Sequence, residues 1–154
     1  MDAVWSMETP EYLRSSCKNH TLVSHVAVLH DNSALLVKYR DPEQYDGQTG
    51  WFLPNDSLRH VEHPEEGAKR VLKEQLGLQK VSLELVQIES FVGDNGSWHL
   101  IFDFKTRQSD TVISLGKDIA QAKWVEMDKL PPNEEFAHGG WGRGVLLRLA
   151  KARA

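Results

Sequence analysis

Hydrophobic and polar positions follow one another along this chain in a pattern that predicts short strands separated by polar loops. Runs rich in β-branched and aromatic residues indicate strands with at least one buried face. A strong hairpin signal, Gly-Asp-Asn-Gly at residues 93–96, joins the fourth and fifth runs. The six runs are residues 21–30, 34–39, 51–53, 81–92, 97–106 and 120–127, and the predicted loops between them include 41–50, 55–63 and 108–118.

Residues 64–76 carry the clearest helical pattern. A proline occupies the first position, two glutamates follow it, and a glycine just past the end is placed for a left-handed cap. At about 100° per residue, Ala68, Leu72 and Leu76 form one stripe, which we expect to face the core. A second amphipathic helix is predicted at residues 144–154.

The order of elements, strands then helix then strands then helix, indicates an α/β protein with a mixed sheet and helices packed on its faces. A length of 154 residues fits a single domain spanning residues 1–154. Residues 1–20 are a polar N-terminal extension, in which Thr9 as N-cap and Pro10 at the first helical position predict a short helix.

Composition narrows the function classes. A net charge of −4 gives no basic excess with which to hold the phosphates of nucleic acid, so a nucleic-acid partner is not expected. The single cysteine, Cys17, is typical of a reducing compartment. The first residues do not form a signal-peptide pattern, and no apolar run approaches about 20 residues. We therefore expect a cytoplasmic protein without a membrane partner.

Residues 53–78 read LPNDSLRHVEHPEEGAKRVLKEQLGL, and residues 56–78 of this segment resemble the Nudix box. That box is written G-x5-E-x7-R-E-U-x-E-E-x-G-U, where U is a bulky aliphatic residue. Aligned without gaps, six of the nine defined positions match, namely Glu62, Arg70, Leu72, Glu74, Gly77 and Leu78. The three departures are Asp56 for the opening glycine, Val71 for the glutamate after the arginine and Gln75 for the second paired glutamate.

The flanking segments extend the resemblance to roughly residues 21–150. WFLP at 51–54 is similar to the W-x-L-P that leads into the box in many Nudix proteins, and DIAQAKWVEMDKLP at 118–131 is similar to their late segment. The resemblance implies an α/β/α sandwich and, because homodimers are common in the family, a possible homodimer.

The resemblance also implies a pyrophosphohydrolase that cleaves a phosphoanhydride in a nucleoside diphosphate derivative with Mg²⁺ or Mn²⁺. Such hard cations need several oxygen ligands. The resemblance implies that one face of the helix supplies three carboxylates to the metal. In this chain those positions are Val71, Glu74 and Gln75, so the charge of the face is −1 where an intact box gives −3. Because one unit charge at about 4 Å contributes roughly 4 kcal/mol at an effective dielectric near 20, this loss should weaken metal binding severely.

The remaining candidate metal ligands are the Glu74 carboxylate, the Gln75 side-chain oxygen and the Asn55 backbone carbonyl. Asn55 and Asp56 replace the Gly-Gly of the family, and both residue types tolerate left-handed backbone angles, so the turn is expected to persist. A relocated catalytic base could come from Glu134, Glu135 or Asp103. Without that role, each of the three is expected to be a solvated surface carboxylate.

Arg70 and Glu74 are the candidate catalytic residues, since in the family this arginine orients a catalytic glutamate. The spacing of Arg70 from Glu66 and Glu74 is equally typical of an ion pair on the helix surface. Arg40 is a candidate phosphate contact or a surface arginine. Trp51 is a candidate for stacking on a base, although its apolar strand favours core packing.

Three functional hypotheses follow. The first is a Nudix-fold protein that binds a nucleoside-diphosphate-type ligand with weak or no Mg²⁺-dependent hydrolysis. The second is a divergent but active Nudix hydrolase with a relocated base. The third is a non-catalytic interaction module whose pocket no longer binds a ligand. The substrate itself cannot be read from the sequence, because selectivity in the family resides in loops.

Overall fold

The computed structural model describes residues 20–93 and 96–153. The predicted short helix at Thr9 and Pro10 and the thiol of Cys17 lie outside these residues. The elements in chain order are β1 (His20–His30), β2 (Ser33–Tyr39), a 3-10 turn (Pro42–Tyr45), β3 (Asn55–Ser57), α1 (Pro64–Leu76), β4 (Glu84–Val92), β5 (Trp98–Arg107), β6 (Ile119–Glu126), three short 3-10 turns and α2 (Trp141–Arg153).

The strands form one mixed sheet of six strands, with the order β4-β5-β1-β2-β6 and β3 paired to β1. β1 and β5 are parallel, and their register runs from His20–Trp98 to Leu29–Arg107. The other pairings are antiparallel. The predicted α/β fold with a mixed sheet and helices on its faces is confirmed.

Helix α1 covers one face of the sheet. Its N-terminus is capped by the His63 side chain, which accepts from the Glu65 backbone, and it ends at Gly77 with φ 69°. Ala68, Leu72 and Leu76 are all 0% exposed and pack against β-branched and aromatic side chains of the sheet. The predicted helix and its buried stripe are therefore confirmed.

Helix α2 covers the opposite face. Val145, Leu146 and Leu149 pack on a second buried cluster that includes Ala27 and Leu29 of β1. Because side chains alternate along a strand, Ser24, Val26 and Val28 face α1, whereas His25 lies on the α2 side. Within the described residues, no helix has both the length and the hydropathy to cross a membrane.

The segment after Pro54 differs from its prediction as a loop. Asn55–Ser57 pairs antiparallel with Val23–His25 of β1, and the Val26 N–H donates to the Pro54 carbonyl (2.9 Å). Asn55 and Asp56 are consequently extended rather than left-handed. Three residues are too few for a sequence period to appear, so the strand results from pairing with β1 rather than from local propensity.

Candidate functional site

The α1 face predicted to bind metal is turned largely into the protein. Val71 is 1% exposed and Gln75 is 5% exposed, while the Glu74 side chain remains 48% exposed. Glu74 is held by Arg59, whose Nη2 lies 3.2 Å from its Oε1, and Arg70 Nη1 is 3.8 Å away. The three positions of this face therefore have different surroundings and do not form one open carboxylate cluster.

The backbone carbonyl of Asn55 is already used by the protein. Gln75 Nε2 donates to this oxygen at 2.9 Å, and Gln75 Oε1 accepts from the Tyr39 hydroxyl at 2.9 Å. The Tyr39 hydroxyl is also 3.2 Å from the Asn55 carbonyl and accepts from the Asn55 N–H at 3.0 Å. Burial raises the pKa of Tyr39 well above its ordinary value, which keeps its proton available for donation.

These residues do not fit a divalent cation at the box position. A cation would need the oxygen lone pairs of Asn55 and Gln75, but both groups are joined to each other and to Tyr39. Val71 supplies no ligand atom, and Glu74 alone carries a charge that the adjacent arginines offset. Hard cations need several oxygen ligands free to turn towards them. The candidate metal-binding oxygens of Asn55 and Gln75 instead belong to a hydrogen-bond network with Tyr39.

Arg70 organises the loop that precedes α1. Its guanidinium donates to both carboxylate oxygens of Glu62 (2.9 and 3.0 Å), to Asp56 Oδ2 (3.0 Å) and to the Ser57 carbonyl (3.0 Å). The hydrogen bonds from Arg70, which outweigh partial burial, lower the pKa of Glu62 to about 2. Of the predicted surface pairs, that with Glu74 is long (3.8 Å) and Glu66 contacts Lys69 instead, so the short contacts of Arg70 are to the loop.

An open pocket of about 750 Å³ lies on the α2 side of the sheet, beside the box loop. Its walls include the aromatic side chains Tyr45, Phe52, Phe91 and Trp141. Tyr45 is stacked on Tyr39 with ring centroids 3.5 Å apart, which links the pocket wall to the network at Asn55. Flat apolar walls of this kind favour a ligand with an aromatic ring.

The charges of the pocket lining are acidic. Asp46 and Asp56 contribute carboxylates, and His99 and His138 contribute imidazoles, while no lysine or arginine lines the pocket among the residues described. His138 has a left-handed φ of 53°, and its Nε2 lies 3.1 Å from Asp46 Oδ2, so the two loops that frame the pocket are joined there.

The sequence-predicted site residues are only partly brought together. Asn55 lines the pocket together with Asp56. The other predicted site residues are not part of its lining, namely Arg40, Trp51, Arg70, Glu74 and Gln75. Arg40 is exposed and its Nε donates to the Lys117 carbonyl at 2.9 Å. Trp51 is 5% exposed in the core beneath α2, with Lys38 and Lys123 each 4.6 Å from its ring.

A buried polar cluster lies next to the pocket, under α2. His25 Nδ1 is 2.6 Å from Asp103 Oδ1, and Gln87 donates to Asp103 Oδ2 at 2.8 Å. Glu89 accepts from Trp141 Nε1 at 3.1 Å and from Arg148 Nη2 at 3.4 Å. Asp103 is 1% exposed, so the expectation that it would be a solvated surface carboxylate was wrong. Glu134 and Glu135 are exposed, as expected.

The titration behaviour of the two acids in this cluster diverges. Burial, and then the hydrogen bond and charge of Asp103, raise the pKa of Glu89 to about 7. Burial also pushes the pKa of Asp103 upward, but the hydrogen bond and charge of His25 outweigh it and hold that pKa below its ordinary value. Below neutral pH the pair therefore carries a proton on Glu89 and a negative charge on Asp103, and Glu89 loses that proton around pH 7.

Ligand atoms of His25, Glu89 and Asp103 lie within 4.8 Å of one another, a spacing that a metal ion could bridge. Each carboxylate oxygen, however, already accepts from a protein donor, and one of those donors is the cationic Arg148. Sequence reasoning singled out Asp103 but not this cluster. The parallel register that pairs His25 with Asp103 is the feature that creates it, and no local pattern reveals it.

Comparison with known proteins bears on the fold and the family. A family model described as the NUDIX domain matches residues 18–144. A search of curated proteins gave no match. Proteins of the matched family generally use a divalent metal.

Solved structures of NUDIX proteins resemble this chain at low sequence identity. The NUDIX domain of Shewanella oneidensis NrtR complexed with ADP ribose has a TM-score of 0.72 and 14% identity, covering 100% of this chain and 99% of that one. A MutT NUDIX hydrolase from Burkholderia pseudomallei has a TM-score of 0.65 and 21% identity, covering 84% and 97%. A NUDIX-family hydrolase from Clostridium perfringens has a TM-score of 0.63 and 17% identity, covering 87% and 96%. At these identities, the likeness concerns the fold.

Proposed function

The chain belongs to the NUDIX family, and on that premise we propose that it binds a nucleotide-like phosphorylated ligand with weak or no metal-dependent hydrolysis. The observation that carries this proposal is the hydrogen bond from Gln75 Nε2 to the Asn55 carbonyl (2.9 Å). It joins two of the three predicted metal ligands to each other. Hydrolysis that depends on a cation at this position is therefore disfavoured, since few free oxygen ligands remain.

The pocket supports the binding half of the proposal. Its aromatic walls suit a base, whereas the carboxylates of Asp46 and Asp56 do not favour phosphates, so the aromatic ring is the part of the ligand that the pocket supports. The NrtR domain, which shares the fold, was crystallised with ADP ribose. We propose ADP-ribose and related nucleoside diphosphates as the first ligands to test. Glu74 is the residue whose role decides between binding and catalysis at the box.

The test combines a thermal-shift titration with a chromatographic assay of AMP formation from ADP-ribose, each with and without Mg²⁺ and Mn²⁺. We expect ADP-ribose to raise the melting temperature by mass action, to a similar extent with and without metal, and we expect little AMP to form. Glu74→Ala should leave the thermal shift intact. Glu65→Ala is its matched control, because Glu65 is a partly exposed glutamate of the same helix whose side chain contacts Lys69.

The other outcomes select the remaining hypotheses. Robust turnover that Glu74→Ala abolishes would make the protein a divergent NUDIX hydrolase at this helix face. Turnover that survives Glu74→Ala would move the base elsewhere, and Glu134, Glu135 and Asp103 would be substituted next. No thermal shift and no turnover with any nucleoside diphosphate derivative would favour a non-catalytic interaction module.

A further inference from the structure

We propose that Glu89 is a positioning residue of the pocket: with Asp103 it holds Trp141 against His25, and loss of its proton releases Trp141 from that position. The positioning of Trp141 is a property of the protein without ligand. Only a pH-dependent ligand affinity, which would result from it, rests on the proposed function.

Trp141 is the side chain through which the buried cluster and the pocket are joined. Its ring lines the pocket and is stacked on the His25 ring, with centroids 4.0 Å apart and an angle of 6° between planes. Its Nε1–H donates to Glu89 Oε2 at 3.1 Å. One stacking contact and one hydrogen bond therefore fix the tilt of this pocket wall.

The His25 ring depends in turn on Asp103. Nδ1 of His25 is 2.6 Å from Asp103 Oδ1, while Nε2 is buried and has no hydrogen-bond partner within residues 20–93 and 96–153. The side chain of His25 is 0% exposed, and the hydrogen bond to Asp103 and the stack with Trp141 are contacts that orient its ring. Any movement of Asp103 is thus passed to the ring on which Trp141 rests.

The groups that face Glu89 explain why its proton matters. Asp103 approaches from β5, His25 from β1 and Arg148 from α2, where the Arg148 side chain is 56% exposed at 3.4 Å. His25 is hydrogen-bonded to Asp103, so the only cationic side chain at Glu89 among the described residues is Arg148, which is largely solvated. Arg148 compensates poorly for a second carboxylate beside Asp103, so the pair retains one proton. The raised pKa of Glu89 agrees with this arrangement.

Deprotonation places two like charges side by side. The Glu89 side chain is 18% exposed and has Arg148 beside it, whereas Asp103 is enclosed. Glu89 is therefore the partner that moves, towards Arg148 and solvent. The charged carboxylate is the stronger acceptor for the Trp141 N–H, so Trp141 follows Glu89 away from the His25 ring and the stack loosens.

The experiment follows the indole N–H resonances of the ¹⁵N-labelled protein from about two pH units below to about two above neutrality. Trp141→Phe identifies the Trp141 signal. We expect that signal to titrate once, with a midpoint near 7. Glu89→Gln should abolish the titration, because its amide can donate to Asp103 and still accept from Trp141, which imitates the protonated acid.

Two controls separate Glu89 from other titrating groups. His138→Gln must leave the titration unchanged, although the His138 ring is 5.7 Å from that of Trp141. Glu84→Gln changes a glutamate on the same strand that contacts Lys105 instead, and should also leave it unchanged. A Trp141 signal that does not titrate, that still titrates in Glu89→Gln, or that stops titrating in His138→Gln would overturn the proposal.

Ligand affinity provides the second readout. ADP-ribose should bind more weakly above the midpoint, by at most about tenfold per pH unit for one linked proton, and Glu89→Gln should remove this dependence. If the indole titration is seen but ADP-ribose does not bind, the proposed ligand is wrong and the role of Glu89 stands. Binding with a pH dependence that Glu89→Gln preserves would contradict the role of Glu89 alone.

Discussion

The side-chain amide of Gln75 donates to the backbone carbonyl of Asn55 across 2.9 Å, connecting α1 to β3. The NUDIX box pattern places a glutamate at this position. An amide nitrogen can donate to a carbonyl directly, but a carboxylate facing the same oxygen would need a cation or a proton between them. Glutamine at this position therefore makes directly a contact that glutamate could make only through a cation or a proton.

This relationship predicts the behaviour of Gln75→Glu. Without metal, the carboxylate would face the Asn55 carbonyl in a buried position, and we expect a loss of roughly 2–4 kcal/mol in the free energy of unfolding. Added Mg²⁺ or Mn²⁺ should recover part of that loss by binding the native state. Thermal melts with and without each metal measure both effects, and the double variant with Val71→Glu should respond more strongly to metal.

Gln79→Glu is the matched control for this prediction, since it makes the same chemical change at an exposed position just beyond the helix. It should change neither stability nor metal response by more than about 0.5 kcal/mol. A stable Gln75→Glu protein that melts at the same temperature with and without metal would show that the Asn55–Gln75 contact is not important.

The sequence was sufficient to predict α1, because its caps and its stripe of Ala68, Leu72 and Leu76 are local features. It did not predict that Val71 and Gln75 would be buried. Helical geometry places them on one face, but whether that face meets solvent depends on β3. That strand is short and forms by pairing with β1, so its position is a tertiary property.

The buried polar cluster under α2 could not be predicted from the sequence either, because it too depends on how strands pair in the folded protein. His25 and Asp103 are far apart in the chain and meet only through the parallel register of β1 and β5. Glu89 joins them across the antiparallel pairing of β4 with β5. In the sequence these residues look like an isolated histidine and two ordinary strand acids, and nothing local distinguishes them.

Arg70 is predicted to be the most important charged residue for the stability of the box loop. Arg70→Ala would leave Glu62, whose side chain is 14% exposed, without its bidentate partner, and we expect unfolding to become easier by about 3 kcal/mol. Arg70→Lys keeps the charge but loses the planar fork, so its loss should be smaller. Urea unfolding at neutral pH measures both variants.

Arg107→Ala serves as the comparison for Arg70, because Arg107 is exposed and its hydrogen bond to the Asp31 carbonyl is 3.5 Å long. Its effect should stay within about 0.5 kcal/mol. Equal effects of Arg70→Ala and Arg107→Ala would contradict the organising role given to Arg70.

Val61 is predicted to limit stability through its backbone. It has φ 64° and is 87% exposed. A β-branched residue is strained in this left-handed region, and the little apolar surface that Val61 buries does not offset the strain. Val61→Asn should stabilise the protein by about 1 kcal/mol, since asparagine tolerates this conformation. Val112→Asn makes the same change at a residue that is 74% exposed without a positive φ. A melting temperature that rises equally in both variants would mean that backbone strain is not the cause.

Stability should fall as the pH rises towards neutrality, because of Glu89. The pKa of Glu89 is about 7 in the native state, above its ordinary value of 4.5. Between these two values the native state holds a proton that the unfolded chain has released, so the free energy of unfolding decreases with pH there and becomes level above pH 7. The gap between the two pKa values sets an upper limit of about 3 kcal/mol on this decrease.

Glu89→Gln should flatten the profile of unfolding free energy against pH over this interval, whereas Glu84→Gln should retain the wild-type slope. Urea unfolding at intervals of about one pH unit across the range tests this, and the same slope in wild type and Glu89→Gln would show that Glu89 titrates as it does in the unfolded chain.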